Sequence, residues 1–310
     1  MKVVRFHEYG GTSVLRHEDA ERPDLGPGQV LVRVAATSFN PVDAAMRAGY
    51  LQGAVPLRLP HVPGLDLAGT VTELGRGVTD LQVGQRVVGL LPLELDGAAA
   101  DYVVVPVDLL ATVPGSIDLP RAAALPIALT AWQALFEHAD VQAGQRVLVL
   151  GAGGTVGGYA VQLARRAGAH VIASASPRSA AAVRGYGADE VLDRTADTLG
   201  TSVTGRVDAV LNFAPLGPAD AGAALDVLRP GGVLVTTVPP PPDPQGRDVR
   251  VLAMFVRGDA VQLAELVELV DAGELAVADG ASVPLNELAA VHERSDAGQL
   301  HGKVVLTPAG

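Results

Sequence analysis

RVLVLGAGGTVGGYAVQLARRA, residues Arg146–Ala167, is the stretch on which the fold turns. Arg146–Leu150 reads as a buried strand, Gly151–Gly158 as a glycine-rich turn, and Val156–Ala167 as a helix. A second strand, His170–Ser174, begins 13 residues past Gly157. Such a turn lets a backbone approach a pyrophosphate closely, and the helix start offers free N–H groups and positive dipole. The turn is not a strict GxGxxG, because Ala152 takes the first glycine position while Gly154 and Gly157 hold the others. Gly151, Gly153, Gly154, Thr155, Val156 and Gly157 are therefore the candidate phosphate-binding residues.

The end of the second strand chooses the dinucleotide. A site for NAD places Asp or Glu there for the ribose hydroxyls. This chain has Ser174-Ala-Ser-Pro-Arg-Ser179, without a carboxylate. The hydroxyl of Ser176 and the forked cation of Arg178 suit a 2′-phosphate, and Ser174 is a further candidate cofactor-binding residue. Arg194, just past the strand Val191–Asp193, is positioned to close over the same group. NADPH is the cofactor these residues predict. The plainer reading of Ser176 is a helix cap and of Arg178 a solvated cation; neither conflicts with phosphate binding.

Outward from this core, helix and strand patterns alternate. Ser179–Tyr186 and Ala219–Leu228 suit helices, and Val207–Phe213 and Val233–Val238 suit buried strands. That order predicts a doubly wound parallel sheet. Upstream, Leu119–His138 is apolar at helical spacing, and earlier still the chain is β-rich, with short runs at Val30–Ala35, Gly69–Leu74, Arg86–Leu91 and Ala100–Val107. Downstream, Asp259–Gly273 reads as a helix and Lys303–Leu306 as a closing strand. Pro239–Pro244 reads as a stiff loop. The outer segments, 1–118 and 260–310, are expected to form one β-rich domain around an inserted α/β domain, 119–259.

Composition narrows the function. The chain has 310 residues, 23 Lys+Arg against 34 Asp+Glu, and no cysteine. A net charge of −11 argues against nucleic acid, whose phosphates need a basic surface. No apolar span of about 20 residues is present, so no membrane segment is expected. Met1–Gly10 carries Lys2, Arg5 and Glu8 and no apolar signal core. The lack of cysteine fits a cytoplasmic setting and removes disulfides and every cysteine-containing zinc site. His61 and Asp66 are two potential metal ligands in a Pro/Gly-rich loop, which is too few for a good site; no metal is expected. The other histidines, His292 among them, read as surface residues.

With these segments placed, the chain resembles the medium-chain dehydrogenase/reductase superfamily, and within it the zinc-independent quinone oxidoreductase branch. The resemblance runs through Ser38-Phe-Asn-Pro-Val-Asp43, Arg47-Ala-Gly-Tyr50, Pro63-Gly-Leu-Asp-Leu-Ala-Gly69, Val83-Gly-Gln-Arg-Val-Val-Gly89, Leu129-Thr-Ala-Trp132 and Gly302-Lys-Val-Val-Leu306. It implies a GroES-like β-rich domain, split in sequence, around a Rossmann domain, with the active site in the cleft between them. Zinc alcohol dehydrogenases of this superfamily carry Gly-His-Glu where this chain has Gly64-Leu65-Asp66. Without zinc, the resemblance implies hydride delivery to a quinone or another α,β-unsaturated carbonyl acceptor. An enoyl-thioester reductase and a non-catalytic NADPH-binding protein are the alternatives.

The resemblance also suggests roles. Asn40 and Asp43 match polar cleft positions; the plainer readings are an Asx turn for Asn40 and a backbone-holding carboxylate for Asp43. Tyr50 resembles the proton-donating tyrosine of related enoyl reductase domains, against a plainer reading as a half-buried pocket aromatic. Thr130 resembles the threonine beside the nicotinamide amide. Asn212, Phe213, Val238, Phe255 and Val256 match positions where the family chain passes the cofactor, and Lys303 a position that reaches a cofactor phosphate or lies solvated. The apolar segment Val249–Val256 is an edge of the kind family members join across a homodimer.

Overall fold

The computed structural model describes residues 1–240 and 246–308, so residues 241–244 of the Pro-rich loop lie outside the described residues. In chain order the first elements are β1 (Lys2–Phe6), β2 (Leu15–Asp19), β3 (Gln29–Ser38), α1 (Pro41–Ala48), β4 (Asp66–Leu74), β5 (Arg86–Leu90), β6 (Tyr102–Pro106) and β7 (Leu110–Thr112). Then come α2 (Leu119–Ala122), α3 (Ala128–Trp132), β8 (Arg146–Leu150), α4 (Thr155–Arg166), β9 (His170–Ala175), α5 (Pro177–Gly185), β10 (Glu190–Asp193), α6 (Leu199–Ser202), β11 (Val207–Asn212), α7 (Pro218–Asp226), β12 (Leu228–Thr236) and β13 (Val249–Ala253). The chain closes with α8 (Ala260–Asp271), β14 (Gly280–Pro284), α9 (Leu288–Asp296) and β15 (Lys303–Thr307).

These elements fall into two compact units, Met1–Ile127 with the chain from Arg257 onward, and Ala128–Val256. The inner unit is a six-stranded parallel sheet in the order β10-β9-β8-β11-β12-β13. The order reverses between β8 and β11, the crevice where open α/β sheets bind ligands. Its strands are apolar on both faces: Val147, Leu148, Val149, Val210, Leu211 and Leu234 are all fully buried. Each such side chain contributes about 1.5–3 kcal/mol of transfer free energy, so these strands fix the unit.

The outer unit holds a seven-stranded sheet in the order β14-β15-β3-β4-β5-β7, with β6 also paired to β3. β15 lies antiparallel beside β3, with Val305 opposite Ser38, so the last strand completes a sheet begun near the N-terminus. Val30, Val32, Leu67, Val71, Val87 and Val105 fill one of its cores. Phe6, Phe39, Val291, Val304 and Leu306 belong to a second, built from both ends of the chain.

Three local features stand out. The helical stretch Leu119–His138 is interrupted: α2 ends at Ala122, α3 starts at Ala128, and Gln133–His138 form a π-helical turn. Pro126 has no N–H for a helix to use, and the chain breaks around it. Val261 does not join the buried face of α8, being 71% exposed, while Leu263, Leu266 and Val267 are buried. Third, Pro41–Ala48 forms a helix that periodicity did not reveal. Asn40 is its N-cap, Pro41 stands in its first turn, and the Asp43 side chain reaches back to the Asn40 N–H.

Candidate functional site

The inner unit places its glycine-rich turn, the candidate phosphate cradle, at the C-terminal ends of its strands. Gly151 leaves β8 with φ +80°, a conformation open to glycine. Gly154 caps α4, and the Gly158 N–H donates to its carbonyl at 2.8 Å. At Gly157 a Cβ would strike the Gly151 carbonyl oxygen and stand 2.7 Å from the Ala152 Cα. The turn and the helix pack that closely only because this side chain is a hydrogen. Gly153 lies between these positions, and Thr155 and Val156 open the helix, so their N–H groups lie at its positive end.

The 2′-phosphate candidates converge on one corner. β9 and β10 are parallel neighbours, with Asp193 opposite Ala175. The next residue, Arg194, donates its N–H to the Ala175 carbonyl at 3.0 Å. This places Arg194 against the strand end that leads into Ser176 and Arg178. Ser176 is the N-cap residue of α5, and its Oγ lies 3.0 Å from the Ser179 Oγ. Ser174 is buried inside β9, and its carbonyl receives the Ala152 N–H at 3.1 Å. The side chains of Arg178 and Arg194 are exposed. Asp193 spends its Oδ1 on the N–H and hydroxyl of Thr195, which hold its carboxyl below the usual range.

Other cofactor candidates lie along the same unit. Asn212 at the end of β11 is buried; its amide donates to the Thr236 Oγ1 at 3.2 Å and accepts the Ala214 N–H at 3.3 Å. The Asn212–Thr236 bond ties the ends of β11 and β12 together, and Thr236 Oγ1 in turn donates to the Val238 carbonyl at 3.0 Å. Phe213 donates its N–H to the Leu150 carbonyl at 3.1 Å, so it stands beside the start of the cradle. Phe255 is 69% exposed and Val256 half-buried beyond the edge strand β13. Thr130 in α3 is buried, and its Oγ1 has no hydrogen-bond partner within the protein. A buried hydroxyl without a partner costs free energy, so this atom suits a polar ligand group.

The outer unit gathers a buried polar cluster. Asp66 Oδ2 accepts from the Ser38 hydroxyl, from Asn40 Nδ2 at 2.8 Å and from Lys303 Nζ at 2.9 Å. Lys303 Nζ also donates to Asn40 Oδ1 at 2.7 Å and to the Phe39 carbonyl at 3.2 Å. Asp43 accepts the Asn40 N–H at 2.8 Å and the Gly64 N–H at 3.1 Å.

These contacts revise several roles. Lys303 is 3% exposed and its three protons meet three acceptors, so it is neither a solvated strand end nor an open phosphate ligand. Asp43 holds two backbone N–H groups, the plainer of its two readings. Asn40 is more than an Asx turn, because its amide is gripped at both ends. Tyr50 is 83% exposed, so the structure puts it in no half-buried pocket. His292 is buried in α9, its ring centroid 4.9 Å from that of Phe39, and is not a surface residue. Sequence reasoning passed over Ser38, Asp66 and Lys303 as a group. One signal was present: Lys2 and Lys303 are the sole lysines in a chain with 23 Lys+Arg.

Zinc does not fit the residues present. Asp66 is committed to Lys303, Asn40 and Ser38, and His61 instead faces Asp96, Nδ1 to Oδ1 3.7 Å. Among the described residues no three His, Cys, Asp or Glu side chains gather as a metal site, and no helix is long and apolar enough to cross a membrane.

Residues 26–115 match the family described as alcohol dehydrogenase GroES-like domain, and residues 186–306 the one described as zinc-binding dehydrogenase. The quinone-oxidoreductase homolog of spinach chloroplasts is 38% identical over 200 residues, 62% of this chain and 61% of that protein, so the match spans under two thirds of that relative. The chloroplast envelope quinone oxidoreductase homolog of Arabidopsis thaliana is 31% identical over 330 aligned residues, 99% of this chain and 98% of that one. A mycobacterial protein solved in complex with NADPH superposes with a TM-score of 0.88 at 30% identity, over 99% of this chain and 100% of that chain. Matched along its whole length in sequence and in fold, the chain belongs to the medium-chain dehydrogenase/reductase superfamily, among its quinone oxidoreductase-like members.

Proposed function

We propose that the protein is a zinc-independent, NADPH-dependent reductase of quinones and other α,β-unsaturated carbonyl compounds, working as a cytoplasmic homodimer. The observation that carries this reading is the cradle at Gly151–Gly157 together with a strand-end corner of Ser176, Arg178 and Arg194 that lacks a ribose-binding carboxylate. NADPH, when bound, supplies the hydride. The protein supplies binding, orientation and electrostatics.

In this reading the cradle N–H groups and the start of α4 hold the pyrophosphate. Ser176, Arg178 and Arg194 hold the 2′-phosphate, and the Thr130 hydroxyl meets the carboxamide. Asn212, Phe213, Val238, Phe255 and Val256 line the cofactor's path. The remaining Nδ2 proton of Asn40 donates to the acceptor's carbonyl oxygen and stabilises the charge that develops there. The phenol of Tyr50 gives its Oη proton to the resulting enolate. Asp43 moves no proton; it holds the backbone at Asn40 and Gly64.

Following NADPH and NADH oxidation against quinones, enones and enoyl thioesters, with zinc content measured in parallel, tests the proposal. Oxidation of NADPH well above NADH, by quinones or enones and without zinc, is expected. Turnover confined to enoyl thioesters moves the protein to the enoyl-reductase alternative. Binding of NADPH with no oxidation by any acceptor leaves a binding protein.

A further inference from the structure

We propose that Lys303 and Asp66 are positioning residues for Asn40: they fix which end of its amide is offered to the substrate carbonyl. The proposal rests on Asn40 making that contact, as proposed above.

The chemistry of the partners settles the amide's direction. An ammonium donates only, so the atom 2.7 Å from Lys303 Nζ is the amide oxygen. An ionised carboxylate accepts only, so the atom 2.8 Å from Asp66 Oδ2 is the amide nitrogen. Turning the amide over would set oxygen against carboxylate and N–H against ammonium. The third Lys303 proton goes to the carbonyl of Phe39, the residue before Asn40. Asp43 takes the Asn40 backbone N–H. Asn40 is thus held at its backbone and at both ends of its side chain, and one Nδ2 proton is left to donate.

Stability alone does not explain this cluster. A buried ion pair is often no more stabilising than an apolar pair of the same size. The second oxygen of Asp66 is buried with no hydrogen-bond partner, a cost that a cluster built for stability would avoid. The choice of lysine also matters. The chain uses 2 lysines among 23 Lys+Arg, yet one of them is the buried cation here. Three acceptors around one nitrogen suit a compact ammonium, whereas a planar guanidinium spreads its donors over a fork.

The test compares kcat for the wild type, Asn40→Ala, the pair Lys303→Met with Asp66→Asn, and all three changes together. The pair removes both charges without stranding either. Asn40→Ala is expected to lower kcat about a hundredfold, as for loss of one donor to a developing oxyanion. The pair is expected to cost about tenfold through a misplaced donor, with the KM for NADPH unchanged. Adding the pair to Asn40→Ala is expected to cost nothing more, because the residue it positions is gone. Multiplying losses overturn the proposal.

If the wild type reduces no acceptor, the reductase reading fails, and the positioning is judged separately by nuclear magnetic resonance. Asparagine occurs at 40, 212 and 286 in the wild type and Asp66→Asn adds a fourth, so selective 15N labelling leaves few enough side-chain amides to resolve each. Slow exchange of the Asn40 amide protons in the wild type, lost in the pair, is the expected signature. Equal exchange in both overturns the positioning. Should Lys303→Met with Asp66→Asn not fold, Lys303→Gln with Asp66→Asn removes the same charges, keeps polar packing, and carries both comparisons.

Discussion

Arg178 and Arg194 give the cofactor reading its sharpest residue-scale test. Arg178→Ala is expected to raise the KM for NADPH about tenfold and leave that for NADH unchanged, as for loss of a charge-assisted contact. An unchanged NADPH constant refutes the assignment. Two buried groups set opposite pH dependences. Burial pushes the Asp43 carboxyl up to about 6; the N–H groups of Asn40 and Gly64 oppose it, the Asp66 carboxylate adds to it, and the Lys303 ammonium opposes it. The folded chain holds that proton more tightly than the unfolded one. Asp43 therefore favours folding fully below its ordinary 3.8 and loses that contribution as pH rises through about 6. The change amounts to about 3 kcal/mol. Asp43→Asn is expected to remove this slope from denaturant unfolding measured between pH 4 and 7. His292 has the other sign. Burial, aided by Arg47 and opposed by Asp296, pushes its imidazole down to about 3. Its contribution is present above the ordinary 6.5 and is lost as pH falls toward about 3. His292→Gln is expected to flatten the acid arm of the same stability profile. An acid arm as steep as the wild type's contradicts this.

At the scale of elements, the strand–turn–helix of β8 and α4 was legible because each part carries its own signal: a short apolar run, a cluster of glycines, and a helical repeat. Gly157→Ala tests the turn. Its Cβ would meet the backbone of Gly151 and Ala152, so the turn must open. A loss of about 1–3 kcal/mol in stability is expected from overpacking, together with weaker NADPH binding in a fluorescence titration. Unchanged binding and melting contradict the close approach. α1 was not legible by the same means. Its eight residues are too few to show a repeat, and two of its capping signals, Asn40 and Asp43, also match polar cleft positions of the family. The cap fixes the backbone from which the Asn40 amide projects, so the proposed contact of that amide with substrate is consistent with it. The interruption at Pro126 was legible in principle, because proline inside an apolar helical pattern marks a break.

At the scale of the whole molecule, β13 stands at the edge of the inner sheet. Its outer row of backbone N–H and C=O groups is a template for a further strand. The proposed homodimer uses this edge. Light scattering at micromolar concentration is expected to give twice the chain mass of 31.7 kDa. Val251→Pro, which takes an N–H from the edge, is expected to shift the mass toward one chain. A single-chain mass for the wild type refutes the dimer.

The parallel sheet, the glycine-rich turn, the absence of a cysteine zinc site and the family were legible in residue order, because these rest on local patterns and on composition. The meeting of Lys303, Asp66 and Asn40 was not legible there and came only with the folded chain. Asn40 and Asp66 lie 263 and 237 positions before Lys303, and the three meet where β15 is laid beside β3. Charge in a sequence has no address until the chain folds. Burial then removed water as a partner and left Lys303 three acceptors in place of the phosphate its position suggested.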